Sequence, residues 1–166
     1  MTHPPHVSDR PSTRWALLPL RLMLGFGFAA HGYAKLSKGP DGFAVILQTL
    51  GVPAPELMAW LTALGELFGG LALMAGALVP IVSVPLAIIM LVAMFTIHLP
   101  YGFSSIKLMA LTANGPEFGI PGYEVNLLYL VGLLTLVLGG AGPLSVDGFF
   151  FSPSSSRRPG PDAAAA

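Results

Sequence analysis

Four stretches of this chain stay apolar for about the thickness of a bilayer, and that pattern limits the possible folds more than any motif does. They run over about 15–36, 55–79, 81–99 and 123–141. A helix crosses about 30 Å of hydrocarbon in roughly 20 residues at about 1.5 Å each. Of the 166 residues 54% are hydrophobic and only 10% charged, with a mean hydropathy of +0.73, whereas a soluble domain carries roughly 25% charged residues. A water-soluble fold of this size has too little interior to hide so much apolar side chain. The expected fold is therefore all-α: a four-helix transmembrane bundle in contact with the lipid bilayer.

The first apolar stretch is longer than the roughly 7 to 15 residues of a cleavable signal core, so it reads as a retained span. Before it, residues 1–14 form a polar tail rich in Pro and His; after the membrane domain of 15–150, the segment 151–166, with its Ser run and Pro159-Gly160-Pro161, reads as disordered. Val79 and Pro80 sit in continuous apolar sequence, which makes spans two and three a tight antiparallel hairpin. Two longer connections remain, 37–54 and 100–122. The second is expected to be irregular or short-helical, and its Tyr101, Phe103, Ile106, Leu108, Met109 and Leu111 leave two readings open, an interfacial segment or a lid over a site. An even number of spans puts Arg10, Arg14, Arg157 and Arg158 on one side against Lys35, Lys38 and Lys107 on the other. That excess places the termini in the cytoplasm.

Several function classes drop out on composition. Net charge is zero with no basic run, so nothing points to nucleic acid. There are no cysteines, which removes disulfides, thiolate metal sites and dithiol chemistry. No helix carries paired metal ligands at a spacing of four, and no Gly-rich phosphate loop or nucleophile motif is present, so no metal site is assigned.

The informative residues are the ionisable ones at membrane depth, since each costs about 2.5 to 3.5 kcal/mol on insertion scales unless paired or wet. Arg21, Gly25, Phe28, Gly32 and Lys35 fall along one face of span one, with His31 roughly 80° to its side. In span two Thr62, Glu66, Gly69 and Gly70 share a face, with Gly65 beside them. The glycines on these faces favour close helix approach. Counted from the outer ends, Arg21 lies ~22 Å deep and Glu66 ~16 Å deep, which makes an Arg21–Glu66 ion pair available. Such a pair either fixes helix register or belongs to a site. His98 closes span three while Glu124 and Asn126 open span four, so His31, Lys35, His98 and Glu124 are expected to converge near the outer surface, with Glu66 beneath them. Imidazole titrates near neutrality and can donate to a carbonyl, which points to proton handling or a quinone headgroup held by His31 or His98.

Taken in order, Arg21, His31-Gly32, Lys35-Leu36, Gly51-Val52-Pro53, Glu66 with Gly69-Gly70, His98 with Gly102-Phe103, Tyr123-Glu124 with Leu127-Leu128-Tyr129-Leu130, and Gly140-Ala141-Gly142 with Ser145 and Asp147 resemble the DoxX family of small bacterial membrane proteins. The likeness spans about 15–149. It implies a four-helix membrane protein whose relatives are assigned to quinone-linked oxidoreductase assemblies, some resembling the small subunit of a thiosulfate:quinone oxidoreductase. Carried over, the family's polar positions fall on Arg21, His31, Lys35, Glu66, His98, Glu124 and Asp147. The absence of cysteine argues against a sulfur relay within this subunit.

Two functions follow as alternatives. One is a membrane subunit of a quinone-linked oxidoreductase, with an apolar groove for the quinone tail, His31 or His98 donating to a carbonyl, Glu66 or Glu124 exchanging protons, and a redox enzyme subunit as partner. The other is a non-catalytic scaffold or partner-binding protein whose buried charges are structural. A small-solute transporter is weaker, because no pair of broken helices is visible. The lipid-facing surface of four helices leaves room for an oligomer without requiring one.

Overall fold

The computed structural model describes residues 15–151. The expected tails, 1–14 and 151–166, and with them Arg10, Arg14, Arg157 and Arg158, lie outside the described residues except for residue 151. The elements in chain order are α1 (Leu17–Ser37), α2 (Pro40–Thr49), α3 (Pro55–Ala75), α4 (Val79–Ala93), a π turn (Met94–His98) and a 3-10 turn (Leu99–Tyr101) that extend α4, β1 (Leu108–Thr112), β2 (Gly115–Phe118), α5 (Glu124–Gly139) and α6 (Val146–Phe151). Pro55–Ala75 and Val79–Tyr101 are long and apolar enough to cross a membrane; Glu124–Gly139 is apolar but shorter.

The four long helices close a ring in which α1 packs on α3, α3 on α4, α4 on α5 and α5 on α1. Where they meet, Leu24, Phe28, Leu73, Val79, Leu86, Leu133 and Leu136 form the core. Outside it the usual polarity is inverted. Phe68 is 63% exposed, and Met23, Ile81, Phe95 and Leu138 are also exposed, while Arg21 and Glu66 are buried at 1% and 2%. An apolar girdle around buried charges is the arrangement lipid favours and water does not.

Lipid supplies no hydrophobic drive between helices, so close packing must hold them. The α1–α3 seam does this with glycine. A Cβ built on Gly25 would lie 2.6 Å from the Gly70 carbonyl oxygen, and one on Gly32 would lie 2.6 Å from that of Ala63. The expected glycine faces therefore meet each other. Gly69 and Gly65 instead turn toward Leu86 and Ile89 on α4.

The α3–α4 hairpin is as tight as expected. Gly76 ends α3 at φ 67°, and the Ala77 amide donates to the Ala72 carbonyl at 2.9 Å, the bond that closes a helix with a left-handed residue just past its end. Pro80 opens α4, where its missing N–H removes nothing.

Both long connections hold regular structure. The segment 37–54 contains α2, started by Pro40 in the first turn and laid over α3 by Ala44 and Leu47, which pack with Ala59. The segment 100–122 starts in the 3-10 turn and is irregular at both ends, as expected, but between them it holds an antiparallel β-hairpin that was not expected, with Thr112 paired to Gly115 across Ala113 and Asn114. Gly115 at φ 114° supplies the turn conformation that a side chain disfavours. The Thr112 hydroxyl ties the turn by donating to the Gly115 carbonyl at 3.0 Å.

Candidate functional site

The charged residues of the helices separate into two clusters at opposite ends of the ring. At the end where α1 begins, Arg21 reaches the loop after α5. Its Nη1 donates to the Ala141 carbonyl and its Nη2 to the Leu144 carbonyl, the latter at 2.9 Å. The same loop leads into α6, where the Asp147 carboxylate accepts from the amides of Leu78 at 2.7 Å and Val79 at 3.0 Å. These are orphan donors at the start of α4, so Asp147 caps that helix from across the chain. The Asp147 amide in turn donates to the Gly76 carbonyl at 2.9 Å. Arg21 is thus consumed in holding a loop, and it does not pair with Glu66 as the depth arithmetic suggested.

Glu66 pairs with Lys35 instead. The Glu66 side chain is 3% exposed and that of Lys35 21%. A carboxylate so buried among apolar helices needs a countercharge to remain ionised, and Lys35, near the C-terminus of α1, supplies it from one turn away along the axis. The Lys35 ammonium also lies 5.1 Å from the centre of the Phe43 ring, which α2 places over it. The unexpected helix therefore forms one wall of the site.

Beside this pair lies a cavity of about 560 Å³ lined by residues of all four long helices, α2 and the end of the hairpin. Four of the six expected site residues line it: His31, Lys35, Glu66 and His98. Thr62, Thr96, Asn126 and Tyr129 add polar groups, and Leu47, Met58, Ile88, Ile89, Met90 and Val125 supply apolar wall. A smaller hollow of about 290 Å³ shares His31, Lys35 and Phe43 with it and adds Lys38. His31 is exposed, lines both, and makes no hydrogen bond among the described residues.

His98 is positioned by two features invisible in the sequence. The π turn Met94–His98 carries one residue more per turn than an α-helix, which resets the angular position of everything after it. The imidazole Nδ1 then meets the Pro121 carbonyl oxygen at 2.9 Å. A carbonyl only accepts, so Nδ1 carries the proton and donates. His98 has therefore spent one donor on the chain after β2, and in the neutral ring Nε2 is an acceptor.

Two expected members do not join the cavity. Arg21 belongs to the opposite end, and the Glu124 carboxylate turns to the Ser105 amide, accepting at 2.9 Å. Glu124 pins the return of the hairpin to the start of α5, where the Tyr123 and Glu124 amides donate to Gly102 and Phe103 at 3.0 Å each. Of the further lining residues, Asn126 was placed beside the cluster at the start of span four but given no role, and Tyr129 was missed. Asn126 is 5% exposed, and its amide donates to the Met90 carbonyl at 3.4 Å. Tyr129 packs edge-on to Phe28 with ring centres 4.9 Å apart, its hydroxyl against Gly27 of α1. The two are three residues apart on one face of α5, so the face reading applied to α1 and α3 would have found them there. Among the described residues no group of three or more His, Asp or Glu side chains is placed to hold a metal.

Comparison with known proteins agrees with the residue pattern. The DoxX family model matches residues 16–99. An uncharacterised protein of Haemophilus influenzae is 32% identical over 136 residues, covering 80% of this chain and 81% of that relative. No solved structure matches the chain significantly. The matched segment carries Arg21, the glycine seam, the Lys35–Glu66 pair and His98, and on this evidence the chain belongs to the DoxX family of membrane proteins.

Proposed function

We propose that the chain crosses the bacterial inner membrane four times, through α1, α3, α4 and α5, with both termini cytoplasmic, and that its outer-end cavity binds the headgroup of a lipid-soluble quinone as part of a quinone-linked oxidoreductase system. The cavity supports this reading. It has the volume of a small-molecule site, roughly 300 to 1,000 Å³, an apolar lining and a few convergent polar groups around Lys35, Glu66, His98 and Asn126. Apolar wall suits an isoprenoid tail, and the polar groups suit a ring bearing oxygen at both ends. The quinone would supply two-electron carriage; the chain would orient the ring, keep bulk water out and hold protons at Glu66 and His98.

The test is titration of the detergent-solubilised protein with ubiquinone and menaquinone, together with analysis of the quinone that co-purifies. Saturable binding lost in Glu66→Gln and His98→Ala is expected. Protein that purifies free of quinone and shows no saturable titration would overturn the reading.

A second reading has an observation of its own. Both Nη atoms of Arg21 and both carboxylate oxygens of Asp147 are engaged in internal bonds, and Lys35 and Glu66 neutralise each other, as a non-catalytic scaffold for a redox partner would require. On that reading, Glu66→Gln and His98→Ala lower stability without changing turnover of any associated enzyme. Unchanged abundance with lost redox activity would exclude it.

A further inference from the structure

The β1–β2 hairpin has no part in the cavity: of residues 102–122 only Pro121 and Gly122 line it, so neither strand closes over it as a lid. The strands pack chiefly on each other, and their base is tied down by the Gly119 amide, donating to the Lys107 carbonyl at 2.9 Å, and the Gly122 amide, donating to Ser104 at 2.9 Å. The pairing register sorts their side chains. Leu108 is opposite Phe118, Ala110 opposite Glu117, Leu111 opposite Pro116 and Thr112 opposite Gly115, with Met109 the extra residue of a bulge in β1. Paired residues project to one face and neighbours along a strand to opposite faces. Leu108, Leu111, Pro116 and Phe118 therefore share one side, and Ala110, Thr112, Gly115 and Glu117 the other. Without the bulge Leu108 would fall on the Glu117 side. The apolar side is bare: Leu108 is 58%, Leu111 80% and Phe118 62% exposed.

We propose that the hairpin is an interfacial anchor, which lays this apolar side on the surface of the bilayer at the cavity end of the ring. The proposal rests on the membrane assignment and is independent of the quinone reading. A lone two-stranded hairpin is marginally stable at best in water, so a bare apolar side calls for a cover. Two observations choose lipid. The exposed side chains of Phe95, Leu99, Phe103 and Ile106 carry the apolar girdle along the chain from α4 to the start of β1. At that start the Lys107 ammonium lies 5.6 Å from the centre of the Tyr101 ring, and a cation beside an aromatic ring suits the level of anionic headgroups. Both strands are edges, whose unpaired amides and carbonyls cannot enter hydrocarbon. The hairpin therefore lies flat among the headgroups, with Leu108, Leu111 and Phe118 dipping about 5 to 10 Å toward the acyl chains, as amphipathic interfacial segments do, and Glu117 turned to water.

The chain has no cysteine of its own, so single nitroxide labels can be placed without background. The experiment puts them at Leu111→Cys, Phe118→Cys, Asn114→Cys and Glu117→Cys in the full chain, reconstituted in nanodiscs of phosphatidylcholine and phosphatidylglycerol, with Phe68→Cys on the girdle as reference. Accessibility to oxygen, which concentrates in lipid, is compared with accessibility to a water-soluble nickel chelate. Labels at 111 and 118 are expected to favour oxygen, as the one at 68 does, and those at 114 and 117 to favour nickel, a several-fold difference in the ratio across one small hairpin. All five positions are exposed, so the substitutions leave the packing intact. Nickel access at 111 and 118 equal to that at 114 would place the apolar side in water and overturn the anchor. Poor access of both reagents there would mean that protein covers it, a second copy or another chain, and would overturn the anchor as well. A nickel-dominated signal at 68 would overturn the membrane assignment beneath it.

Discussion

The two ends of the helix ring use the same kinds of residue to opposite effect. At the Arg21 end, charge is locked away. Arg21 grips two carbonyls of the 141–144 loop, Asp147 caps α4, and a Cβ on Gly76 would come within 2.5 Å of the Arg21 guanidinium. At the Lys35 end the charges are paired but not enclosed, and a cavity of about 560 Å³ opens beside them. The difference teaches that a buried charge in an apolar bundle does not by itself mark a site. What separates the ends is whether the polar groups border a cavity with room for a ligand.

Mutations can break or sharpen this contrast. The largest effect is expected from Arg21→Met, which strands the Ala141 and Leu144 carbonyls and costs about 3 kcal/mol of stability. It is read as lower thermal stability in detergent, with ligand affinity of the remaining folded protein unchanged. A stable Arg21→Met protein that no longer binds ligand would reverse the roles assigned to the two ends. Gly76→Ala forces a side chain into a left-handed backbone and against Arg21, for a loss of about 2 kcal/mol by the same measurement. Glu66→Gln should shift the balance the other way: it keeps the shape, removes the Lys35 ion pair and abolishes saturable quinone binding, while lowering stability less than Arg21→Met does. Glu124→Gln is expected to do least. An amide oxygen can still accept from Ser105, so both stability and binding should change by less than about 0.5 kcal/mol. A large loss of binding there would return Glu124 to the cavity.

How much of this was legible in sequence varies from residue to residue for physical reasons. Helix positions were readable because hydrocarbon thickness fixes length, and α3 and α4 lie close to the expected ranges. The glycine seam was readable because helical periodicity places Gly25, Gly32 and Gly70 on facing stripes. The partner of Glu66 was not. Depth counting sets helices side by side as straight rods and cannot see a loop folding back over their ends, yet that loop is what captures Arg21. Lys35 was placed in the outer cluster above Glu66 but not paired with it, and its long stem lets the ammonium reach inward. The signals for α2 were present in Pro40, Asp41 and the spacing of Phe43, Ala44 and Leu47, and were masked by the flanking Gly39 and Gly42. The β-hairpin resisted for another reason: an apolar run such as Leu108–Thr112 reads equally as strand or helix until its pairing is known.

The π turn at Met94–His98 carries a consequence of its own. A single wide turn is a regular helix holding one surplus residue, so it can be removed by excising one. Deleting Thr96 would let the segment relax to α-helical spacing and swing the imidazole about 100° around the axis. The rest of the bundle, built on α1, α3 and the first two-thirds of α4, would keep its contacts. The orientation of the key ring thus hangs on the count of residues in one turn, a quantity that insertion or deletion alters and ordinary substitution leaves untouched.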